Sequence, residues 1–393
     1  MKTKKIPSVI LNDQDTSPTE SSLIHPYPGS MPAYLASRLV ERYSCDRDFV
    51  FDPFCGSGSV IIEAAKLGRN TYGTDLLRTA VNIANTALNL PSPERIEALW
   101  LTVCEQALHR SSLFQRNPII LSTLPDTLQL LSQWFHAETF IEILAIKNEI
   151  TKVTDSKERD SLLLLLAGSL ISLSKRVNRG VMHWGWIADN VKPHHNDLLK
   201  TDPFYEMNRR VNRLVTFMRA TGSYKLLSRV KSEAVEYDWL DKTQAEIILP
   251  KPVNLLITSP PYPYSIDYTL ALRLTHYLLC DDSSEVRAQE IGARYKRKRK
   301  NRGEQYLQEL SVALRRSTVQ VIKGGHAVFV LHNPTEYMNI IPMGDNEWCD
   351  FLSKSMFGDW TFIEYGYRRC EQRRLINTTQ QERSEFIAVF KRD

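Results

Sequence analysis

Phe49-Val50-Phe51-Asp52-Pro53-Phe54-Cys55-Gly56-Ser57-Gly58-Ser59 is the stretch whose reading decides the fold. Three apolar residues running into an acid predict a short buried strand, and the proline and paired glycines that follow predict a tight loop. Val60 to Leu67 then reads as a helix stopped by Gly68, and Asn70 to Asp75 as a second strand ending in an acid. A further helix runs to about Asn89. Strand, loop, helix and strand in this order make one βαβ unit, so the chain is expected to be α/β, with a doubly wound, mainly parallel, Rossmann-like sheet. In such a sheet a Gly-x-Gly loop lets the backbone approach a ligand at the carboxyl edge. The spacing is neither G-x-G-x-x-G nor a P-loop, because no Lys-Ser/Thr follows. Asp52, Pro53, Phe54, Cys55, Gly56, Ser57 and Gly58 are therefore candidate contacts for a ligand without a pyrophosphate. Asp75 is placed to accept hydrogen bonds from two ribose hydroxyls. Cys55 reads as a small filler, since nothing in the sequence puts a base beside it.

Outward from this unit the texture changes. Residues 1–20 are polar and patternless and are expected to form a flexible arm. His25-Pro26-Tyr27-Pro28-Gly29 is rich in turn residues and leads into a helix carrying Leu35, Leu39 and Val40 on one face. From about residue 95 to 235 strand signals are scarce and leucine-rich runs such as 161–167 and 203–219 read as helices. The chain therefore divides into an arm (1–20), a first α/β part (21–94), a helical insertion (95–235) and a second α/β part (236–393). The second part opens with the strand Val253 to Thr258, which ends at Ser259-Pro260-Pro261-Tyr262. Lys323-Gly324-Gly325 feeds a strand over His326 to Leu331, and strands at Trp360 to Tyr367 and Glu385 to Phe390 close the chain.

Composition narrows the setting. Of 393 residues 42% are hydrophobic and 24% charged, ordinary values for a globular protein. No apolar run approaches the ~20 residues of a membrane span, and the N-terminus lacks an apolar signal core, so a cytoplasmic protein is expected. The six cysteines form no C-x-x-C pair, and His194-His195 has no ligand partners at metal spacing. No metal is expected. The net charge of +5 is uninformative, but Arg294 to Arg302 holds no acid and is either a solvated loop or a phosphate-binding element.

The Ser259 loop carries its own chemistry. Two successive prolines supply no N–H donors, so the Ser259 hydroxyl and the Pro260 carbonyl can both accept from one amino group. Accepting both hydrogens in a bent geometry localises a lone pair that an aromatic ring otherwise withdraws. Tyr262 offers a ring on which a flipped base can stack.

Taken together, His25-Pro26-Tyr27-Pro28, Asp52 to Ser59, TSPPYPYSIDY at Thr258 to Tyr268, Gly324-Gly325 and Glu385 to Phe390 resemble the amino-methyltransferases of bacterial DNA modification. The resemblance covers most of residues 22–90 and 250–393. It implies S-adenosylmethionine as cofactor, double-stranded DNA as partner and, in some systems, an accompanying restriction endonuclease. It assigns Ser259, Pro260, Pro261 and Tyr262 to catalysis, Tyr27 and Pro28 to the cover over the methionine part of the cofactor, and Asp238 to the cofactor adenine. The methyl donor is a sulfonium, so orientation and desolvation can supply most of the rate. The Ser-Pro-Pro-Tyr form is similar to that of enzymes acting on the cytosine 4-amino group, whereas adenine 6-amino enzymes more often carry Asp or Asn at the position of Ser259. Carbon methylation of cytosine would need a cysteine there.

By the same resemblance the insertion is placed for target recognition. Arg176, Asn178 and Arg179 are the DNA candidates within it, and the aromatic stretch 183–190 is either a DNA contact or a packing motif. The basic run tips towards backbone binding through Lys296, Arg297, Lys298 and Arg299. Two rivals stand beside this reading. One is an RNA methyltransferase acting on the guanine 2-amino group, which normally has an acid before the prolines and a separate RNA-binding domain. The other is a DNA-binding subunit without turnover, against which the intact Asp52, Gly56, Gly58 and Ser259 to Tyr262 argue.

Overall fold

The computed structural model describes residues 4–7, 11, 17–115, 123–174, 198–281, 285–334, 338–370 and 383–393. The DNA candidates Arg176, Asn178 and Arg179, the stretch 183–190 and His194-His195 lie outside them. Eight strands form one sheet: β1 (Lys4–Lys5), β2 (Phe49–Asp52), β3 (Asn70–Asp75), β4 (Ser232–Glu236), β5 (Val253–Thr258), β6 (Val321–His332), β7 (Trp360–Cys370) and β8 (Arg383–Arg392). Their order is β1-β7-β8-β6-β5-β2-β3-β4. Strands β4, β3, β2, β5 and β6 run parallel. Strand β8 lies antiparallel between β6 and β7. From β2 the chain winds outward through β3 to β4, and from β5 it winds the other way to β6, so the switch in winding falls between β2 and β5. Ligands of open α/β sheets bind at that crevice. This is the Rossmann-like methyltransferase arrangement expected from the sequence.

The central strands are buried on both faces and alternate with period two. Val50, Leu255, Ile257, Val328, Val330, Ile387 and Val389 pack against the helices Ala33–Tyr43 and Ser59–Lys66. Phe49, Phe51, Leu256, Phe329, Leu331 and Phe390 face the helices Arg302–Ser317 and Asp345–Ser355. A third layer continues outward from the first face. The helices Pro93–Gln115, Asp126–Ser132, Ala137–Ile150, Ser156–Leu173 and Pro203–Thr221 share one apolar cluster with the sheet-flanking helices. The leucine-rich run is buried nearly all round, with Leu162, Leu164, Leu165, Leu166 and Leu170 each at most 2% exposed.

Two expectations about organisation meet a different geometry. The boundary drawn at 235/236 cuts through β4, which pairs with β3 from Thr71↔Ser232 to Asp75↔Glu236 and completes the sheet. The arm is docked wherever it is described. Lys4 and Lys5 pair with Glu364 and Tyr365 of β7, and Ile6 and Leu11 are buried. Thr19 caps the helix Glu20–Ile24, whose buried Glu20 carboxylate lies 2.7 Å from Lys66 Nζ. Two isolated apolar residues create no period in the sequence, yet burying each contributes about 2 kcal/mol. Among the described residues no helix is long and apolar enough to cross a membrane.

Candidate active site

At the end of β2 the chain turns through Gly56 (φ +51°) and Gly58 (φ +87°), both in the left-handed region that favours glycine. A Cβ on Gly58 would lie 2.8 Å from the Ala84 Cβ, and one on Gly56 would lie 3.0 Å from Tyr27 Cε1. The loop is pinned to β3. Cys55 N–H donates to the Thr74 carbonyl at 2.9 Å, and Gly56 N–H donates to Asp75 Oδ2 at 2.8 Å. Asp75 Oδ1 accepts from Leu77 N–H at 3.0 Å. Burial pushes the Asp75 carboxyl up to about 6 against these bonds. Asp52 Oδ1 accepts from Phe54 N–H at 3.1 Å and from Thr258 Oγ1 at 2.6 Å. Burial, first among the causes, pushes its pKa up to about 7. The Pro53 carbonyl accepts from Thr74 Oγ1 and Trp239 Nε1, each at 2.9 Å. The Cys55 thiol is buried and pushed well up by desolvation, which keeps it neutral.

These groups wall a cleft of about 890 Å³ that opens to solvent. Asp52, Phe54, Cys55, Gly56, Ser57 and Asp75 form its floor, and Tyr27 covers Gly56. Asp238 lines it beside Tyr237 and Trp239, and its carboxyl is raised by burial while Oδ1 accepts from Leu240 N–H at 2.8 Å. Ser259 and Pro261 line the same cleft. Pro28, Pro53, Gly58, Pro260 and Tyr262 do not line it.

The Ser259 loop is held from several sides. Tyr306 Oη donates to the Pro261 carbonyl at 2.9 Å, and Tyr262 Oη donates to Glu385 Oε1 at 2.8 Å. Arg368 Nε holds the other Glu385 oxygen at 2.7 Å. Ser259 Oγ is 3.4 Å from Tyr262 Oη. The Tyr262 ring meets His332 edge-on, with centroids 5.8 Å apart. Tyr264 sits at φ +58°, a strained conformation for a large side chain, fixed by its N–H to the Gly292 carbonyl at 2.6 Å and its hydroxyl to the Arg302 carbonyl.

Sequence reasoning missed the far wall. Tyr268 stacks on Tyr27 with centroids 5.8 Å apart, and Glu290 lines the cleft between them and Ile291. Glu290 accepts from Tyr268 N–H at 2.9 Å and Thr269 N–H at 3.0 Å, and burial raises its pKa. No motif marks Glu290, because it acts through backbone donors 21 and 22 residues away in sequence.

Glu290 also accounts for a correction in the basic run. Arg294–Lys298 forms a 3-10 turn, and Lys296 points inward with 3% of its surface exposed. Its Nζ donates to the Glu290 carbonyl at 2.7 Å and lies 3.7 Å from Glu309. Burial lowers its pKa. Lys296 thus anchors the cleft wall and is withdrawn from any DNA surface, whereas Arg297, Lys298 and Arg299 are exposed. Among the described residues no group of three or more His, Cys, Asp or Glu is arranged to hold a metal.

The strand order is that of the S-adenosylmethionine-dependent methyltransferase fold, and the residues of the cleft fit that cofactor. The glycine cradle has no room for a Cβ under Tyr27, Asp75 keeps lone pairs for ribose hydroxyls, and Asp238 lies within reach of the same cleft. Residues 2–86, less than a quarter of the chain, match the family described as DNA methylase, which supports the resemblance to DNA amino-methyltransferases over the cofactor-binding segment. The type II methyltransferase M.MvaI of Kocuria varians is 30% identical over 135 residues, 33% of this chain and 29% of that protein. The type II methyltransferase M1.MboII of Moraxella bovis is 45% identical over 58 residues, 15% of this chain and 22% of that protein. The chain thus spans less than a third of the length of these relatives. A solved rRNA methyltransferase, aviRa of Streptomyces viridochromogenes, aligns with 98% of this chain and 93% of its own at 12% identity and a TM-score of 0.34. At that score the fold assignment rests on the strand order.

Proposed function

We propose that this chain is a DNA methyltransferase that transfers a methyl group from S-adenosylmethionine to the exocyclic amino group of a flipped base, N4 of cytosine in the first instance. The observation that carries the reading is the 2.6 Å bond from Thr258 Oγ1 to Asp52 Oδ1 across the switch point. It ties the glycine cradle to the loop whose Ser259 presents an acceptor to the same cleft. When bound, the cofactor supplies a methyl group already activated on a sulfonium. The protein's own part is positional. The Ser259 hydroxyl, which lines the cleft, accepts from the target amine, and Tyr306 keeps the neighbouring Pro261 carbonyl occupied. Tyr262, fixed by Glu385, sets the loop's exit. The Ser-Pro-Pro-Tyr form, similar to that of enzymes acting on the cytosine 4-amino group, is what favours cytosine over adenine in this reading. The helical layer, with the stretch holding Arg176, Asn178 and Arg179, is the proposed target-recognition part. Arg297, Lys298 and Arg299 are the proposed backbone contacts, the cytoplasm the proposed site of action and a cognate restriction endonuclease the proposed companion.

The test is incubation with methyl-labelled S-adenosylmethionine and unmethylated bacterial DNA, followed by nucleoside mass spectrometry. Labelled 4-methylcytosine is the expected product. Labelled 6-methyladenine would keep the enzyme class and overturn the reading of Ser259, and label in RNA alone would overturn the DNA substrate.

A further inference from the structure

A second cavity lies on the other side of the segment that covers the cleft. Tyr27 lines the cleft, while its neighbour Pro26 lines this cavity together with Ser22, Gly168, Ser172, Arg209, Arg210 and Arg213. Arg210 staples three helices. Its Nη1 donates to the Leu23 carbonyl at 3.0 Å and its Nη2 to the Gly168 carbonyl. With 9% of its surface exposed, it holds a positive charge inside the protein, and its Nε has no hydrogen-bond partner. The nearest carboxylate, Glu206, lies 3.6 Å from that Nε but is already engaged by Arg209 through bonds of 2.6 and 2.8 Å. Arg213, one turn beyond Arg209, is exposed and has no ion pair among the described residues. Three guanidinium groups are thus answered by one carboxylate. Burial, followed by repulsion from Arg209 and Arg213, lowers the Arg210 pKa to about 10 despite the opposing pull of Glu206.

We propose that this cavity binds a phosphate group of the DNA backbone, with Arg213 and Arg209 as donors and Arg210 as a fixed charge behind them. The excess positive charge, the Arg213 guanidinium and the hydroxyl of Ser172 match a phosphate's charge and acceptor oxygens. The source of the phosphate rests on the DNA reading above. Along a duplex each strand carries a phosphate every ~3.4 Å of axis, so a strand that delivers a base to the cleft lined by Tyr27 and Ser259 also brings phosphates towards the cavity at Pro26. A contact of this kind sets the register of the duplex and leaves base identity to other residues.

The test compares the full-length chain with R213Q and R209Q/R213Q, which leave the packing of Arg210 in place. R47Q, at an arginine with 89% of its side chain exposed that does not line the cavity, serves as the charge control. Melting temperatures check folding, and duplex binding is measured from 50 to 200 mM salt without methyl transfer. The slope of log affinity against log salt is expected to shrink by about one in the double variant and to stay at the wild-type value in R47Q. A slope unchanged in the double variant, or reduced as much in R47Q, overturns the proposal. It is equally overturned if inorganic phosphate raises the melting temperature through these arginines while the DNA slope stays unchanged, which would assign the cavity to a free phosphate compound. Methyl transfer is absent from this readout. A wild-type chain that binds duplex without methylating it would defeat the functional reading and leave the slope comparison to decide the cavity.

Discussion

Asp52→Asn is expected to make the protein more stable and less able to bind its cofactor, and the stability gain should depend on pH in a defined way. The Asp52 carboxyl is 2% exposed and titrates at about 7, against an ordinary 3.8. Because the folded-state value is raised, the folded protein holds this proton more tightly than the unfolded chain does. Below about pH 4 both states are protonated and there is no penalty. Between pH 4 and 7 the unfolded chain ionises first, and the penalty on the fold grows by ~1.4 kcal/mol per pH unit. Above pH 7 it is complete, roughly three units or about 4 kcal/mol at most. Asparagine removes the penalty and keeps an oxygen for the Thr258 and Phe54 donors, but its buried NH₂ costs about 1–3 kcal/mol if it finds no partner. A net gain of about 1–3 kcal/mol at pH 8 remains. Asp75, a like charge that raises Asp52, shifts in the stabilising direction when Asp52 is neutral. The assay is urea unfolding of both chains from pH 4.5 to 8 at constant salt, with equal m-values as the check that only stability changed. A difference that does not vary with pH, or a variant less stable than wild type at pH 8, would falsify the reasoning. A carboxylate kept at such a cost is explained by a ligand that needs it.

Three further outcomes follow from the site. Ser259→Ala should lower kcat by about 10² or more, the worth of one positioned hydrogen bond, with little change in cofactor affinity; equal losses in both would count against an acceptor role. Thr258→Val removes a buried donor from Asp52, so cofactor affinity, measured by calorimetry across pH, should begin its acid-side decline at a higher pH than in wild type, and an unshifted decline would show that Asp52 is not the titrating group. Neutralising Arg297, Lys298 and Arg299 together should flatten the salt dependence of DNA binding, while Lys296→Met should leave that slope intact and lower the melting temperature; the reverse pattern would return Lys296 to the DNA surface.

Much of the fold was legible because its central strands are short, apolar on both faces and bounded by turn residues. Residues 49–52, 70–75 and 253–258 were read at their observed limits for that reason. The glycine loop was legible because a Cβ at Gly56 or Gly58 has nowhere to go. Other features depend on contacts that no local pattern encodes. The partner of Asp52 lies 206 residues away, and Tyr268, whose N–H donates to Glu290, stacks on a Tyr27 far from it in sequence. The basic run misled at Lys296 because a string of like charges conceals the direction of each side chain. In a 3-10 turn one residue in three faces the same way, and here that residue turns inward. The helical layer was legible as helix, but its fusion with the sheet-flanking helices into one apolar cluster was not, since helical periodicity marks a buried face without naming what covers it.

The pairing of β2 with β5 is what makes a single site out of two distant loops. Val50 opposes Leu255 and Phe51 opposes Leu256, so both strands reach the carboxyl edge together and the loops after Asp52 and Thr258 emerge side by side. A slip of one residue in this register would exchange every inward and outward side chain of β5, sending Leu255 and Ile257 to the aromatic face and Leu256 to the aliphatic one. The two faces differ too much in volume to accept that exchange, so the core itself enforces the register. The Thr258–Asp52 bond is then the chemical consequence of a packing constraint, and it gives the buried carboxylate a donor from the strand that carries Ser259. The cradle and the acceptor loop therefore share one rigid platform, and their relative position is set by the hydrophobic core beneath them.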